Sequence, residues 1–197
     1  TFARCGITDP LSIDEYSAHG GYHGLANALK MSGADIVAAV TESGLRGRGG
    51  AGFPTGIKWK TVLGAQAEQK YIVCNADEGD SGTFADRMLI EGDPFTLIEG
   101  MAIAALAVGA TEGFVYLRSE YPLAITTLRR AIEICYAHGI LGESVLGSGR
   151  RFDLDVRVGA GAYICGEETS MLESLEGKRG EVRAKPPHYG ANEAVLE

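Results

Sequence analysis

The chain has 197 residues, 45% of them hydrophobic and 22% charged, enough for one good core and marginal for two. Its net charge of -8 argues against nucleic acid as a partner by bulk electrostatics. No apolar stretch is long enough to span a bilayer, the best candidate being Met101 to Val108, and no signal-peptide pattern opens the chain.

The first twenty residues lack periodicity and read as an irregular arm. Tyr22 to Lys30 and Asp35 to Ser43 read as two short helices, the second capped by Ser32 or by Asp35 itself. Six glycines then fall between Gly44 and Gly56, interleaved with Arg46 and Arg48 and followed by Lys58. Glycines this dense let the backbone approach a ligand and turn its N–H groups inward, and the cations point to an anionic ligand such as a phosphate. Gly47-x-Gly49-x-x-Gly52 satisfies the dinucleotide pattern, yet a helix precedes it where a Rossmann fingerprint needs a strand. Ile57 to Leu63 follows as a helical turn.

Tyr71 to Cys74 reads as a buried strand. It leads into the acidic loop Asn75-Ala76-Asp77-Glu78-Gly79-Asp80-Ser81-Gly82. Pro94 to Val108 is a helix with proline at its first turn and Gly109 at its end. Gly113 to Leu117 is a second strand. Pro122 to Ala137 is a helix with Ile125, Leu128, Ile132 and Cys135 at helical spacing. Phe152 to Val158 alternates as a third strand, then a Gly159 to Glu168 loop opens a helix from Thr169 to Leu175. Strands alternating with helices of this length give an α/β fold, a Rossmann-like, mainly parallel sheet with flanking helices.

Three polar loops carry the candidate chemistry. Glycines and cations at one end and the carboxylates Asp77, Glu78, Asp80, Glu167 and Glu168 at another suit a nucleotide, with phosphates against the glycines and sugars or amides against the acids. Each residue also has a plain structural reading. Glu167 and Glu168 serve equally as first-turn acids of a helix, the three acids of the second loop as a solvated turn, Lys58 as a surface lysine and Phe53 as core. The four histidines are scattered and none takes a catalytic role. Cys5, Cys74, Cys135 and Cys165 include no C-x-x-C pair; this argues against a zinc or redox site and fits a reducing, cytoplasmic compartment.

The run Gly47 to Gly56, the segment Cys74-Asn75-Ala76-Asp77-Glu78 and the run Gly159 to Thr169 together resemble the NADH-binding flavoprotein subunit of respiratory complex I and the diaphorase subunits of NAD-linked hydrogenases and formate dehydrogenases. The wording of residues 75–84, with Arg118-Ser119-Glu120-Tyr121-Pro122 and Gly177-Lys178-Arg179-Gly180, resembles most the beta subunit of NAD-dependent formate dehydrogenase. The resemblance runs from about Phe2 to Pro187.

What the resemblance implies is specific. FMN binds the glycine loop (Gly47, Arg48, Gly49, Gly50, Ala51, Gly52), Lys58, Asn75 and Asp77, with Glu78 beside them, and the backbone around Tyr163, Gly166 and Glu167. NADH stacks on the flavin with contacts from Gly50, Phe53, Asp80, Glu168 and Lys185. Asp80 stands where complex I usually has glutamate, and two aromatic positions that flank adenine in some relatives are Thr61 and His188. Hydride passes between NAD(H) and FMN, then single electrons pass to iron–sulfur subunits of a larger complex. The expected division is an arm and helix at 1–33, an FMN/NADH-binding domain at 34–187 and an atypical tail at 188–197. The relatives continue into a ubiquitin-like domain and a helical domain with four cluster-binding cysteines, so this chain reads as truncated, with no cluster ligands of its own. Three alternatives stay open: the FMN-bearing subunit of an ion-pumping ferredoxin:NAD oxidoreductase, a non-redox nucleotide-binding module, and a remnant that binds nothing.

Overall fold

In a computed structural model, residues 2–183 are described in full and 194–196 as backbone; Lys185 and His188 lie outside them. Four parallel strands form one sheet: β1 (Lys70–Ala76), β2 (Glu112–Arg118), β3 (Asp153–Gly159) and β4 (Ala194–Leu196), in the order β3-β2-β1-β4. The tail expected at 188–197 thus contributes a strand beside β1. The chain adds β2 and β3 successively on one side of β1, whereas β4 lies on the other. That reversal makes β1 the switch point of the sheet, and ligand crevices of open parallel sheets lie beyond the carboxyl ends of strands at such a point.

Register explains which face is buried. Val73 pairs with Phe114 and Val115 with Val156, so Ile72, Val115, Leu117, Leu154 and Val156 share the face that enters the main core. Helices α6 (Pro94–Val108) and α7 (Pro122–Ala137) cover it. The opposite face is covered by α8 (Glu168–Leu175) and the turn before it, through Met171 and Cys165 respectively, packed with Val73 and Tyr116. Helix α6 is apolar nearly all round, as burial between the sheet and other helices requires.

The region expected to be irregular holds α1 (Ile13–Ala18), capped by the Ser12 side chain accepting from the Glu15 amide. The next two helices are α2 (His23–Ala28) and α3 (Gly33–Glu42); Ser32, rather than Asp35, accepts at the α3 N-terminus. These segments share the main core through Tyr16, Tyr22, Leu25, Ile36 and Val37. Glu99 of α6 fastens them there: its carboxylate accepts from the amides of Tyr22 and Leu25, both at 2.9 Å, and from the Tyr16 hydroxyl.

The helical turn expected at 57–63 is a full helix, α4 (Thr55–Gly64). Its direction matters. Lys70, the first residue of β1, donates through Nζ to the carbonyls of Leu63 and Val108, each at 3.1 Å. The carboxyl termini of α4 and α6 therefore meet at the amino end of the sheet. The α4 N-terminus lies about 15 Å away along the helix. The loop after β1 also contains α5 (Ala85–Gly92), which the sequence reading does not anticipate.

Candidate functional site

The glycine run forms a narrow hairpin between α3 and α4. Gly47 N donates to Phe53 O and Thr55 N to Leu45 O, each at 2.9 Å, and the Arg46 guanidinium donates to Gly52 O at 2.9 Å. Arg46 is thus a brace of the loop itself. Gly50 and Gly52 have φ of +107° and +60°, a region that favours glycine. A Cβ placed at Gly49, Gly50 or Gly52 would meet nothing within 4 Å, so this stretch of backbone is open to a ligand. Arg48, Gly49, Gly50 and Ala51 are exposed at the tip, and Phe53 is 48% exposed beside it rather than core. Lys58 is half-buried in the first turns of α4, where the helix dipole adds positive potential.

The second and third loops meet directly. Asn75 Nδ2 donates to Gly166 O at 2.9 Å, and the Tyr163 hydroxyl donates to Asp80 Oδ1 at 2.8 Å. The loops touch closely: a Cβ at Gly79 would lie 2.8 Å from the Tyr163 ring, and one at Gly166 would lie 3.2 Å from Asp77 Oδ2. Between the loops is an open cleft of about 180 Å³ lined by Asp77, Gly79, Arg118, Glu120, Gly161, Ala162 and Tyr163. Ligand pockets run from roughly 300 to 1,000 Å³, so this cleft alone is smaller than a usual ligand site.

Charge in the cleft is unusual. Asp77 is only 4% exposed; burial pushes its carboxyl above the usual range, Arg118 pulls it down and Glu120 pushes it up. Arg118 ends β2. It donates through Nη1 to Glu78 O at 2.6 Å and through Nη2 to Glu120 Oε1 at 3.1 Å, while its Nε is buried without a partner among the described residues. An unpartnered buried donor costs about 1–3 kcal/mol, so the surrounding contacts must over-determine its position. The hydrogen bond from Arg118 holds the Glu120 carboxyl below its usual range. In the sequence Arg118 and Glu120 stand out only within the resemblance; their place at the end of a strand with polar loops on either side is the signal that singles them out.

Two expected ligand carboxylates are used by the protein. Glu78 accepts from the amides of Asp86 and Arg87, at 2.8 and 3.2 Å, and from the Tyr121 hydroxyl at 3.1 Å. It caps α5 from a distance; a ligand contact for it rests on the resemblance alone. Glu167 is the N-cap of α8, accepting from Ser170 N at 3.0 Å and from the Thr169 hydroxyl at 2.6 Å, which is the plain structural reading. Glu168 opens α8 and is half-buried. Lys185 lies outside the described residues. Among those residues no cluster of His, Cys, Asp or Glu is grouped to hold a metal, and no helix is long and apolar enough to cross a membrane.

A glycine hairpin leading into a helix N-terminus, together with polar loops at the switch point of a parallel sheet, suits a nucleotide-type binding domain of the α/β class. The chain belongs to the Nuo51 FMN-binding domain family, whose pattern it matches over residues 40–196. It is 58% identical, over 93% of its length, to HndC, a component of the NADP-reducing hydrogenase of Solidesulfovibrio fructosivorans. It is 55% identical, over 90% of its length, to the F component of the NADH-quinone oxidoreductase of Aquifex aeolicus. It covers 37% and 41% of those two proteins. Among solved structures it matches an NAD+-reducing NiFe hydrogenase with a TM-score of 0.73 at 39% identity, over 86% of this chain and 30% of that one.

Proposed function

We propose that this chain is the FMN-binding, NADH-oxidising module of a complex I-like or NAD-linked oxidoreductase. The observation that carries the reading is the junction at the switch point, where the Asn75–Gly82 and Gly159–Glu168 loops are joined beside a buried Asp77; the open backbone of the cationic hairpin supports it. The residues fit FMN. Backbone amides of Gly49 to Gly52 with Arg48 and Lys58 suit its single terminal phosphate, and Asn75 and Asp77 suit the polar edge of its ring. When bound, FMN supplies the redox chemistry that couples a two-electron nicotinamide to one-electron carriers.

The chain's own groups do the positioning. Phe53 and Tyr163 offer exposed rings against which a nicotinamide or adenine lies. Asp80, Glu168 and Lys185 take the ribose hydroxyls, carboxamide and phosphates of NAD(H), and Glu78 and Glu167 shape the loops from behind. No side chain is required as an acid or base. Residues 34–187 form the cofactor domain in this reading, 1–33 a preceding segment and 188–197 a tail. The setting is cytoplasmic, and iron–sulfur subunits of a multi-subunit complex take the electrons.

The wording of residues 75–84 and 118–122 supports a formate dehydrogenase as that complex, whereas the relative at 58% identity is named as part of a hydrogenase. Co-purification with formate dehydrogenase or with hydrogenase catalytic subunits separates the two. Cofactor identity is tested by denaturing the purified chain and separating the released flavin. FMN is expected; recovery of FAD alone, or of no flavin after incubation with excess FMN, overturns the reading.

A further inference from the structure

We infer that Arg118 is a positioning residue of the flavin cleft: it fixes the shape of the acidic loop and stands beside Asp77 in the cleft as its counter-charge. The inference rests on the FMN reading above. Three observations carry it. First, Arg118 reaches across from the end of β2 to the Glu78 carbonyl at 2.6 Å. Glu78 has φ of +32°, a conformation that L side chains rarely adopt and that persists only where neighbouring contacts impose it. Those contacts come from both sides: the α5 amides and Tyr121 take the Glu78 carboxylate, and Arg118 takes its carbonyl.

Second, the guanidinium is itself locked. Nη2 pairs with Glu120 at 3.1 Å, its centre lies 5.1 Å from the Tyr121 ring centroid, and Nε is buried with no partner among the described residues. Planar, multi-donor geometry of this kind is what arginine supplies and lysine does not. Third, Arg118 lines the same cleft as Asp77. The groups that face Asp77 are Arg118, Glu120 and Tyr116 of β2 and the segment after it, and Gly79, Tyr163 and Gly166 of the two loops. Arg118 is the one cation among them. Burial and Glu120 push the Asp77 carboxyl toward its neutral form and Arg118 opposes both. A neutral Asp77 loses its strength as an acceptor for a ring N–H of the ligand.

The test compares the wild-type chain with Arg118→Gln and Arg118→Lys by two readouts. One is the carbon-13 NMR titration of the Asp77 carboxyl in the flavin-free protein. The other is FMN affinity, from fluorescence quenching, across the acid-to-neutral range, with thermal melts to verify folding. In Arg118→Gln the Asp77 titration moves to higher pH, and FMN binds about tenfold more weakly, about 1.4 kcal/mol, with the loss growing as pH falls. Arg118→Lys keeps the charge, so its titration stays near wild type while affinity drops by a smaller factor. An unmoved Asp77 titration in Arg118→Gln, or a loss of affinity equal at every pH and matched by Arg118→Lys, overturns the inference. Failure of the wild type to bind FMN instead overturns the functional reading, and the titration in the flavin-free chain remains the separate measure of Arg118.

Discussion

Asp77 sits at the carboxyl end of β1, 4% exposed, with burial raising its carboxyl above the usual range. Raised, for an acid, means that the folded chain keeps a proton over a window in which the unfolded chain has lost it. Stability from this group is therefore present below the ordinary carboxylate range and declines as pH rises through the folded value. Asp77→Asn removes that penalty. The flavin-free variant is expected to melt a few degrees higher than the parent at neutral pH and to match it in acid, while binding FMN more weakly. Thermal melts at the two pH values check this, and a lower midpoint at neutral pH contradicts it. Glu168→Gln is expected to weaken NADH binding to the flavin-loaded chain more than it weakens flavin binding, by roughly 1.5–3 kcal/mol if the carboxylate accepts from ribose or carboxamide donors. Equal dissociation constants in an NADH titration assign Glu168 to the α8 N-terminus alone. Sequence leaves such acids ambiguous for a physical reason: cap and ligand acceptor are the same chemistry. Glu167 reads either way until Ser170 N is seen beneath it, and Glu78 until Asp86 and Arg87 are.

Elements with their own local signals are legible in the sequence, and those stabilised from elsewhere are not. Helices α6 and α7 carry proline at the first turn, and Gly109 ends α6 at φ +80°; both are expected at the bounds they take. Strand β3 buries Leu154 and Val156, and Phe152 just before it, as the alternation leads one to expect, whereas Val158, expected on the same face, is 42% exposed. Helix α5 has no side-chain cap of its own; its free amides are taken by Glu78 from the preceding loop. Helix α1 is six residues long, below the length at which a helix holds without packing, and it depends on Tyr16 reaching α6. The Glu99 carboxylate is the fastening point, with the Tyr22 and Leu25 amides and the Tyr16 hydroxyl as donors. Glu99→Gln replaces one acceptor oxygen by an amide nitrogen that presents N–H to one of those donors. It is expected to cost roughly 1.5–3 kcal/mol in urea unfolding and to raise hydrogen exchange in residues 13–28 first. A loss below about 0.5 kcal/mol, the scale of ordinary surface substitutions, means that the donors find other acceptors.

At the scale of the whole molecule, the sheet order sets the loop after β1 at the switch point, where it meets the Gly159–Glu168 loop. Reversal at β1 was not legible, because β4 has just three residues and pairs across about 120 positions of sequence, a contact that no local pattern records. Its consequence is that the chain carries the crevice and the hairpin together, so a flavin is expected to bind it and stabilise it by mass action, about 2.7 kcal/mol at a hundred times the dissociation constant. Onward transfer is a different matter. The four cysteines are Cys5 beside Met88, Cys74 in β1, Cys135 in the core against Tyr22 and Cys165 under α8. Burial pushes the Cys135 thiol up to about 11, whereas cluster ligation takes thiolates, commonly four of them. The chain covers 37% and 41% of the relatives compared. Reduction of a bound flavin by NADH needs two rings in contact and nothing from a cluster. The purified, FMN-loaded 197-residue chain is therefore expected to bleach on addition of NADH and to reduce a small dye, yet to contain no iron or labile sulfide and to pass electrons poorly to a one-electron protein acceptor. Metal analysis with paramagnetic resonance after reduction decides the point: stoichiometric iron with a cluster signal means that electrons leave this chain by a route its cysteine positions do not provide.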